Sequence, residues 1–173
     1  MANIEFVMPL ILRWEGGFVK DLDDLGKAAN MGVTLNTLSA YRKSKNLPPP
    51  SIYDLKRLSR KEWSNILKTY YWDRWKADDI CNQAVANILV DWVWVSGVYG
   101  IKIPQQVLEV KADGMVGERT LAVLNAYQPQ AELFGRIKQA RFDYVACICK
   151  ARPRMEIFQR GWNNRIRSFR FSE

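Results

Sequence analysis

Residues 13–34 read RWEGGFVKDLDDLGKAANMGVT. Glu15 is followed at once by Gly16 and Gly17, then by Asp21, Asp23 and Asp24, and Gly32-Val33-Thr34 closes the run. Upstream, Ile4, Met8 and Ile11 fall at helical spacing with Val7 beside them, and Glu15 continues that stripe. The pattern predicts a helix whose apolar face runs into one carboxylate. Pro9 should kink or shorten it, and the glycine pair should end it. Residues 18–33 show no helical period and are rich in turn formers, so two short strands or an irregular hairpin are expected. Thr34 then stands where the N-cap of a helix reaching about Lys43 would be.

A glutamate on an apolar stripe faces a core or the wall of a cleft. Desolvation there favours the neutral acid over the carboxylate, the form a general acid needs near neutral pH. Cleavage of a glycosidic bond calls for such a proton donor, together with a second carboxylate or a positioned water. Gly16 and Gly17 leave room for a sugar chain to approach the backbone. Asp21, Asp23 and Asp24 are close enough in sequence to cover the far side of a cleft. The plainer alternative is a helix-end glutamate beside a solvated acidic turn, and residue types alone do not separate the two.

The remainder of the chain is patterned as helix. Ser59 to Glu62 matches a capping box opening a helix with Trp63, Ile66, Leu67 and Tyr70. The proline run at 48–50 is a hard stop. Residues 84–101 carry one charge in eighteen positions, long enough to raise a membrane span. Asp91 near its centre, and the breaks at Ser96-Gly97 and Gly100, point instead to a buried helix at about 82–96. ADGMVGERT, residues 112–120, gives a glycine turn and then a short helix over about 118–126. Pro129 opens a long helix on which Leu133, Ile137, Ala140, Tyr144 and Ile148 recur, and Pro153 ends it. Asp91, among apolar neighbours, is expected to form a structural salt bridge with an arginine of the C-terminal segment. Asp113 reads as a turn former, and Cys147 and Cys149 as small apolar residues.

Composition narrows the chemistry. A chain of 173 residues, 48% hydrophobic, can form one domain or two small packed lobes. It has no histidine, which excludes Ser-His-Asp and Cys-His catalysis and argues against zinc sites of the Cys/His kind. Acid–base work falls to Asp and Glu. Three cysteines without regular spacing give no disulfide framework. The net charge of +8 attracts polyanions such as nucleic acid, anionic lipid or the bacterial wall. Residues 150–173 alone carry seven Lys/Arg against Glu156 and Glu173. The N-terminal residues lack the basic region and cleavage site of a signal peptide. The expectation is a chain cytoplasmic as made, acting at the wall after holin-type release or non-classical export.

The block from Glu15 to Thr34 resembles the active-site block of glycoside hydrolase family 108, bacterial and phage N-acetylmuramidases with a lysozyme-like helical fold. Further likenesses follow in order. They are YYWDRW at 70–75, VDWVWVSG at 90–97, ADGMVGERT at 112–120, and QRGWNNRIRSF at 159–169. The third resembles a segment of the family's predicted peptidoglycan-binding half. The resemblance implies an all-α, lysozyme-like protein with a small irregular hairpin. It would have a catalytic half over 1–80 and a helical peptidoglycan-binding half over 81–173, packed into one compact unit.

The resemblance makes Glu15 the general acid for the β-1,4 bond from N-acetylmuramic acid to N-acetylglucosamine. Asp21 or Asp24 would stabilise charge or orient water. Gly16, Gly17, Asn30, Thr34, Tyr71 and Trp72 would meet the substrate. No metal or cofactor is implied. The expected partner is peptidoglycan, bound by a monomer, without nucleic acid and without stable membrane insertion. The chain departs from the family block at Lys27, Ala29 and Val95. A threonine near Ala29 would help hold an attacking water. These departures keep open a catalytically weak or inactive wall-binding protein. The basic, aromatic C-terminus keeps open a nucleic-acid binder.

Overall fold

The computed structural model describes residues 1–19 and 28–172. The chain divides into two compact units, Met8–Tyr70 and Met1–Val7 with Tyr71–Glu173. The described residues are helical apart from one small hairpin and its connecting turns.

Helix α1 (Ile4–Leu12) buries Val7 and Ile11 completely and accommodates Pro9 on its exposed side. It stops three residues before Glu15, not at the glycine pair. The Trp14 N–H bonds the Ile11 carbonyl at 2.9 Å and the Glu15 N–H bonds that of Leu12 at 3.3 Å. These are three-residue steps, tighter than the α repeat, and they carry Glu15 off the helical stripe.

In the unit Met8–Tyr70, the expected hairpin is β1 (Ala29–Asn30) paired antiparallel with β2 (Val33–Thr34), Asn30 opposite Val33 and Ala29 opposite Thr34. Met31 and Gly32 make its two-residue turn, with φ of 49° and 77°. Positive φ at both positions matches the right-handed twist of the flanking strands. Thr34 then caps α2 (Leu35–Ser44), its hydroxyl accepting from the Thr37 N–H at 3.1 Å. That helix ends before the proline run, at a left-handed Asn46 (φ 54°), and after the prolines Ser51 starts another, α3 (Ile52–Lys56), through a reciprocal capping box with Asp54. Ser59 caps α4 (Arg60–Leu67). There the reciprocal partner of the box is diverted, because the Glu62 carboxylate takes Arg42 Nε at 2.8 Å. Arg42 also reaches Asp54 at 3.4 Å, joining the starts of α3 and α4 to α2. Tyr70, expected on α4, lies instead in a wider helical turn over Lys68–Trp72.

In the other unit, short turns at Asp73–Trp75 and Ala77–Asp79 lead to α5 (Gln83–Ser96), capped by the Asn82 side chain on the Val85 N–H at 3.0 Å. The apolar run at 84–101 is this buried helix, ended by Gly97 with φ 56°. No helix among the described residues is long and apolar enough to cross a membrane. A second helix, α6 (Tyr99–Val107), contains Pro104. A proline cannot donate to the carbonyl four residues back, here that of Gly100, and the Trp75 indole N–H supplies that bond at 3.2 Å. Gly100 is needed for packing, since a Cβ there would lie 2.5 Å from the Trp92 backbone.

Buried Gln105 holds the glycine turn at 112–117, donating to the Met115 carbonyl at 2.9 Å and accepting from the Gly114 N–H at 2.9 Å. Asp113 is the turn former expected. Its carboxylate accepts the Met115 N–H at 2.9 Å, and that bond, helped by Gln105 and Lys111, holds it below the usual carboxylate range. α7 (Glu118–Ala126) and α8 (Gln130–Ala151) fall where the periodicity puts them. Pro153 ends α8, but the chain turns into a further helix, α9 (Glu156–Ser168), where the sequence reading saw only a basic ending.

Asp91 is the centre of this unit. Fully buried on α5, it accepts Arg141 Nη2 from α8 at 2.6 Å and Arg165 Nη2 from α9 at 2.6 Å. The expected arginine of the C-terminal segment is Arg165; Arg141 is an addition. Trp72, Trp75 and Trp92 are fully buried in the same unit, Trp92 beside Arg141. At about 25 cal/mol per Å² and 150–250 Å² per side chain, each such burial stabilises by roughly 4–6 kcal/mol before entropy is counted.

Candidate active site

The residues after α1 form a short, open segment in the unit Met8–Tyr70. Glu15 is half-buried at the turn described above. Gly16 accepts the Met31 N–H at 3.2 Å, which ties the segment to the hairpin turn. Three residues on, Val19 exchanges backbone bonds with Ala29, at 2.8 and 2.9 Å, extending the hairpin by one bridge. Val19 nevertheless leaves its side chain 64% exposed. Lys56 on α3 sits over the Phe18 ring at 6.0 Å. The hairpin turn is itself fixed, because the Trp63 indole N–H donates to the Met31 carbonyl at 2.9 Å.

Gly16 and Gly17 have no steric requirement at their Cβ positions, as is also true of Gly117, Gly135 and Gly161. Both are exposed, neither has φ in the left-handed region, and a Cβ built at either meets no atom within 4 Å. Gly32 and Gly100 differ in this respect, having a turn or a neighbouring helix to explain them. The open backbone lies directly beside a half-buried carboxyl group, which leaves the main chain there accessible to a ligand.

Other residues singled out in the sequence fall in several places. Asn30 is 8% exposed and its amide donates to the carbonyls of Leu55 and Lys56, at 2.9 and 3.1 Å, clamping β1 to the end of α3. Thr34 works as a helix cap and shares a 3.0 Å hydroxyl contact with Thr37. Thr34 thus has the capping duty expected of it, whereas the structural duty of Asn30 was not revealed by the sequence. Trp72 is corrected outright as a sugar-stacking ring. It is fully buried, with its indole N–H on Asp78 Oδ1 at 2.8 Å, so it has no face to offer. Tyr71, half-buried, packs against Trp94 at 4.6 Å between ring centroids. Trp94 was not singled out in the sequence, although the i to i+2 gap from Trp92 sets it on another side of α5. Asp21 and Asp24, the candidates for the second catalytic group, lie outside the described residues, as do Asp23 and Lys27. No cluster of metal-ligating side chains occurs among the described residues.

Comparison with known protein families decides the affiliation. The model of glycosyl hydrolase family 108 matches residues 8–97, more than half of the chain. The chain belongs to glycosyl hydrolase family 108. A second model, described as a predicted peptidoglycan domain, matches residues 99–167. Among solved structures, the chain is similar to Brucella abortus SagA at 28% identity, with a TM-score of 0.78 over 95% of this chain and 89% of that one. No curated protein matches it in sequence. This family-108 chain is thus an all-α, lysozyme-like glycoside hydrolase with peptidoglycan as its ligand. It is a peptidoglycan hydrolase.

Proposed function

We propose that the chain is an N-acetylmuramidase that cleaves the β-1,4 bond from N-acetylmuramic acid to N-acetylglucosamine, with Glu15 as the general acid. The observation that carries this reading is the juxtaposition of half-buried Glu15 with Gly16 and Gly17, two open glycines that neither backbone strain nor packing explains. In the step envisaged, the Glu15 carboxylic acid gives its proton to the glycosidic oxygen as the bond to the muramic acid C1 breaks. Positive charge develops on the sugar ring, and water adds at C1, giving up its proton to a carboxylate of the pair. Asp21 or Asp24 is the proposed second group, stabilising that charge or orienting the water. Tyr71 is the aromatic ring proposed to meet sugar.

The second reading is a wall-binding protein with little turnover, favoured by Ala29. In the hairpin this residue faces Thr34 across the strands, and its methyl group cannot hold a water. Product analysis separates the readings. Purified sacculi are incubated with the protein, and the released fragments are reduced with borohydride and hydrolysed. New reducing ends at muramic acid support the proposal. New ends at glucosamine, or anhydro ends without reducing sugar, contradict the bond or the mechanism. Binding without release supports the second reading.

A further inference from the structure

Helix α9 presents two unlike sides. On the inner side Arg165 and Ile166 are buried and Trp162 is half-buried. On the outer side Ile157, Arg160, Asn164 and Arg167 recur at steps of three and four residues, and all four are exposed. Such spacing sets side chains in one stripe along a helix. The far end of the stripe is held in place: Arg167 Nη1 donates to Asn164 Oδ1 at 3.2 Å, and the Arg167 guanidinium carbon lies 5.8 Å from the centre of the Phe142 ring.

The near end of the stripe is apolar. Ile157 is 79% exposed, and Phe158 beside it is 49% exposed and stacks on Trp162 with ring centroids 5.8 Å apart. Scattered exposed apolar residues are ordinary on a protein surface. These two are adjacent, and they sit at the corner where α8 passes into α9 through the turn Pro153–Met155. The same corner is cationic. Lys150, Arg152, Arg154 and Arg160 are exposed there, against one exposed acid, Glu156.

Charge alone suits any polyanion. The apolar pair narrows the choice. A nucleic acid offers phosphates and bases on which Phe158 can stack, but nothing for the aliphatic side chain of Ile157 to enter, and the anionic polymers of the wall offer no hydrocarbon. An anionic bilayer supplies both parts, phosphate headgroups for the guanidiniums and an acyl boundary for the apolar tip. We propose that the α8–α9 corner and the outer stripe of α9 form a peripheral docking surface for an anionic phospholipid bilayer, with Ile157 and Phe158 entering the acyl boundary. The contact is superficial, since no helix among the described residues is long and apolar enough to cross a membrane. It stands apart from the muramidase reading, which rests on Glu15.

The test is co-sedimentation of the full chain with vesicles of equal parts phosphatidylglycerol and phosphatidylcholine, with pure phosphatidylcholine vesicles as the control. The anionic vesicles should bind the chain at low salt, roughly tenfold or more tightly than the neutral ones, and lose it as salt rises. Arg154→Gln with Arg160→Gln should lower the partition about 25-fold, at about fivefold for each cation near the surface. Ile157→Asn leaves the charge unchanged and should lower it roughly tenfold through lost apolar burial. All three positions are exposed, so the circular dichroism spectrum and melting midpoint should stay at parental values. No vesicle binding by the parent, equal binding to anionic and neutral vesicles, or a folded Ile157→Asn that binds as the parent does would overturn the proposal. In the last case a loss in the arginine variant, with competition by duplex DNA, would assign the surface to a polyanion instead. The comparison of vesicles is made on the parent chain, so it decides even where a variant fails to fold.

Discussion

Replacing Asp91 by Asn tests the internal architecture most sharply. The substitution changes little in shape but removes the carboxylate that meets two buried cations in the 2.6 Å contacts from Arg141 and Arg165. If the new amide oxygen keeps one guanidinium, the amide nitrogen is left facing the donors of the other. Removing one partner of a buried pair costs about 3–5 kcal/mol. Two guanidiniums lose their counter-charge here, so the upper end of that range is expected. Set against a typical total of about 5–15 kcal/mol, the loss brings the unit close to unfolding. With about 2–4 °C per kcal/mol for a chain of this size, the melting midpoint should fall by roughly 10–20 °C. Calorimetry and far-ultraviolet circular dichroism, read together, measure it. A triple replacement, Asp91→Leu with Arg141→Met and Arg165→Met, should recover most of the loss, because an apolar core avoids desolvating any charge. A fall of less than about 1 kcal/mol in Asp91→Asn would be the value of an exposed pair and would refute the argument from burial.

Gly16→Ala and Gly17→Ala should leave the melting midpoint unchanged or slightly raised, by up to about 1 kcal/mol from reduced freedom of the unfolded chain, yet lower turnover on sacculi; unchanged turnover would remove the steric argument. Ala29→Thr should be tolerated in the hairpin as a cross-strand partner for Thr34 and should raise turnover if water positioning limits the rate; a folded variant with equal or lower turnover rejects that account. The Asp54 carboxyl, bonded by the Ser51 hydroxyl and backbone N–H, has its pKa lowered to about 2. A lowered folded value means stability that is complete above the unfolded value of about 3.9 and is lost as pH falls through about 2. Ser51→Ala should therefore raise the Asp54 pKa in a carbon-detected titration and reduce the pH dependence of the melting midpoint below pH 4; an unmoved pKa contradicts the capping-box origin.

Local signals were the legible part of the fold. The Thr34 and Ser59 caps, the hairpin and the buried 83–96 helix each announce themselves within a few residues. What escaped depends on distant partners. A helix through Pro104 is readable only once Trp75 supplies the missing donor, and the commitment of Asn30 to α3 spans 25 positions. Trp72 and Tyr71 are neighbours of the same character in sequence, and only the packing separates a core ring from a half-buried one. The end of α1 was misplaced for a different reason. Apolar spacing carries through a tightened turn as easily as through a helix, so periodicity alone could not show where the α repeat stopped. At the candidate site, Glu-Gly-Gly was visible as a motif, but that the glycines lack a structural reason became apparent only with their surroundings in view.

The central claim is that Glu15 donates the proton that breaks the glycan. Glu15→Gln keeps the size and hydrogen-bonding shape of the side chain but cannot serve as the acid. Release of reducing muropeptides from sacculi should fall by about 10²–10⁴-fold, the usual worth of general acid catalysis, while the circular dichroism spectrum, melting midpoint and sacculus binding stay at parental levels. A folded Glu15→Gln protein that releases muropeptides at close to the parental rate would contradict the mechanism.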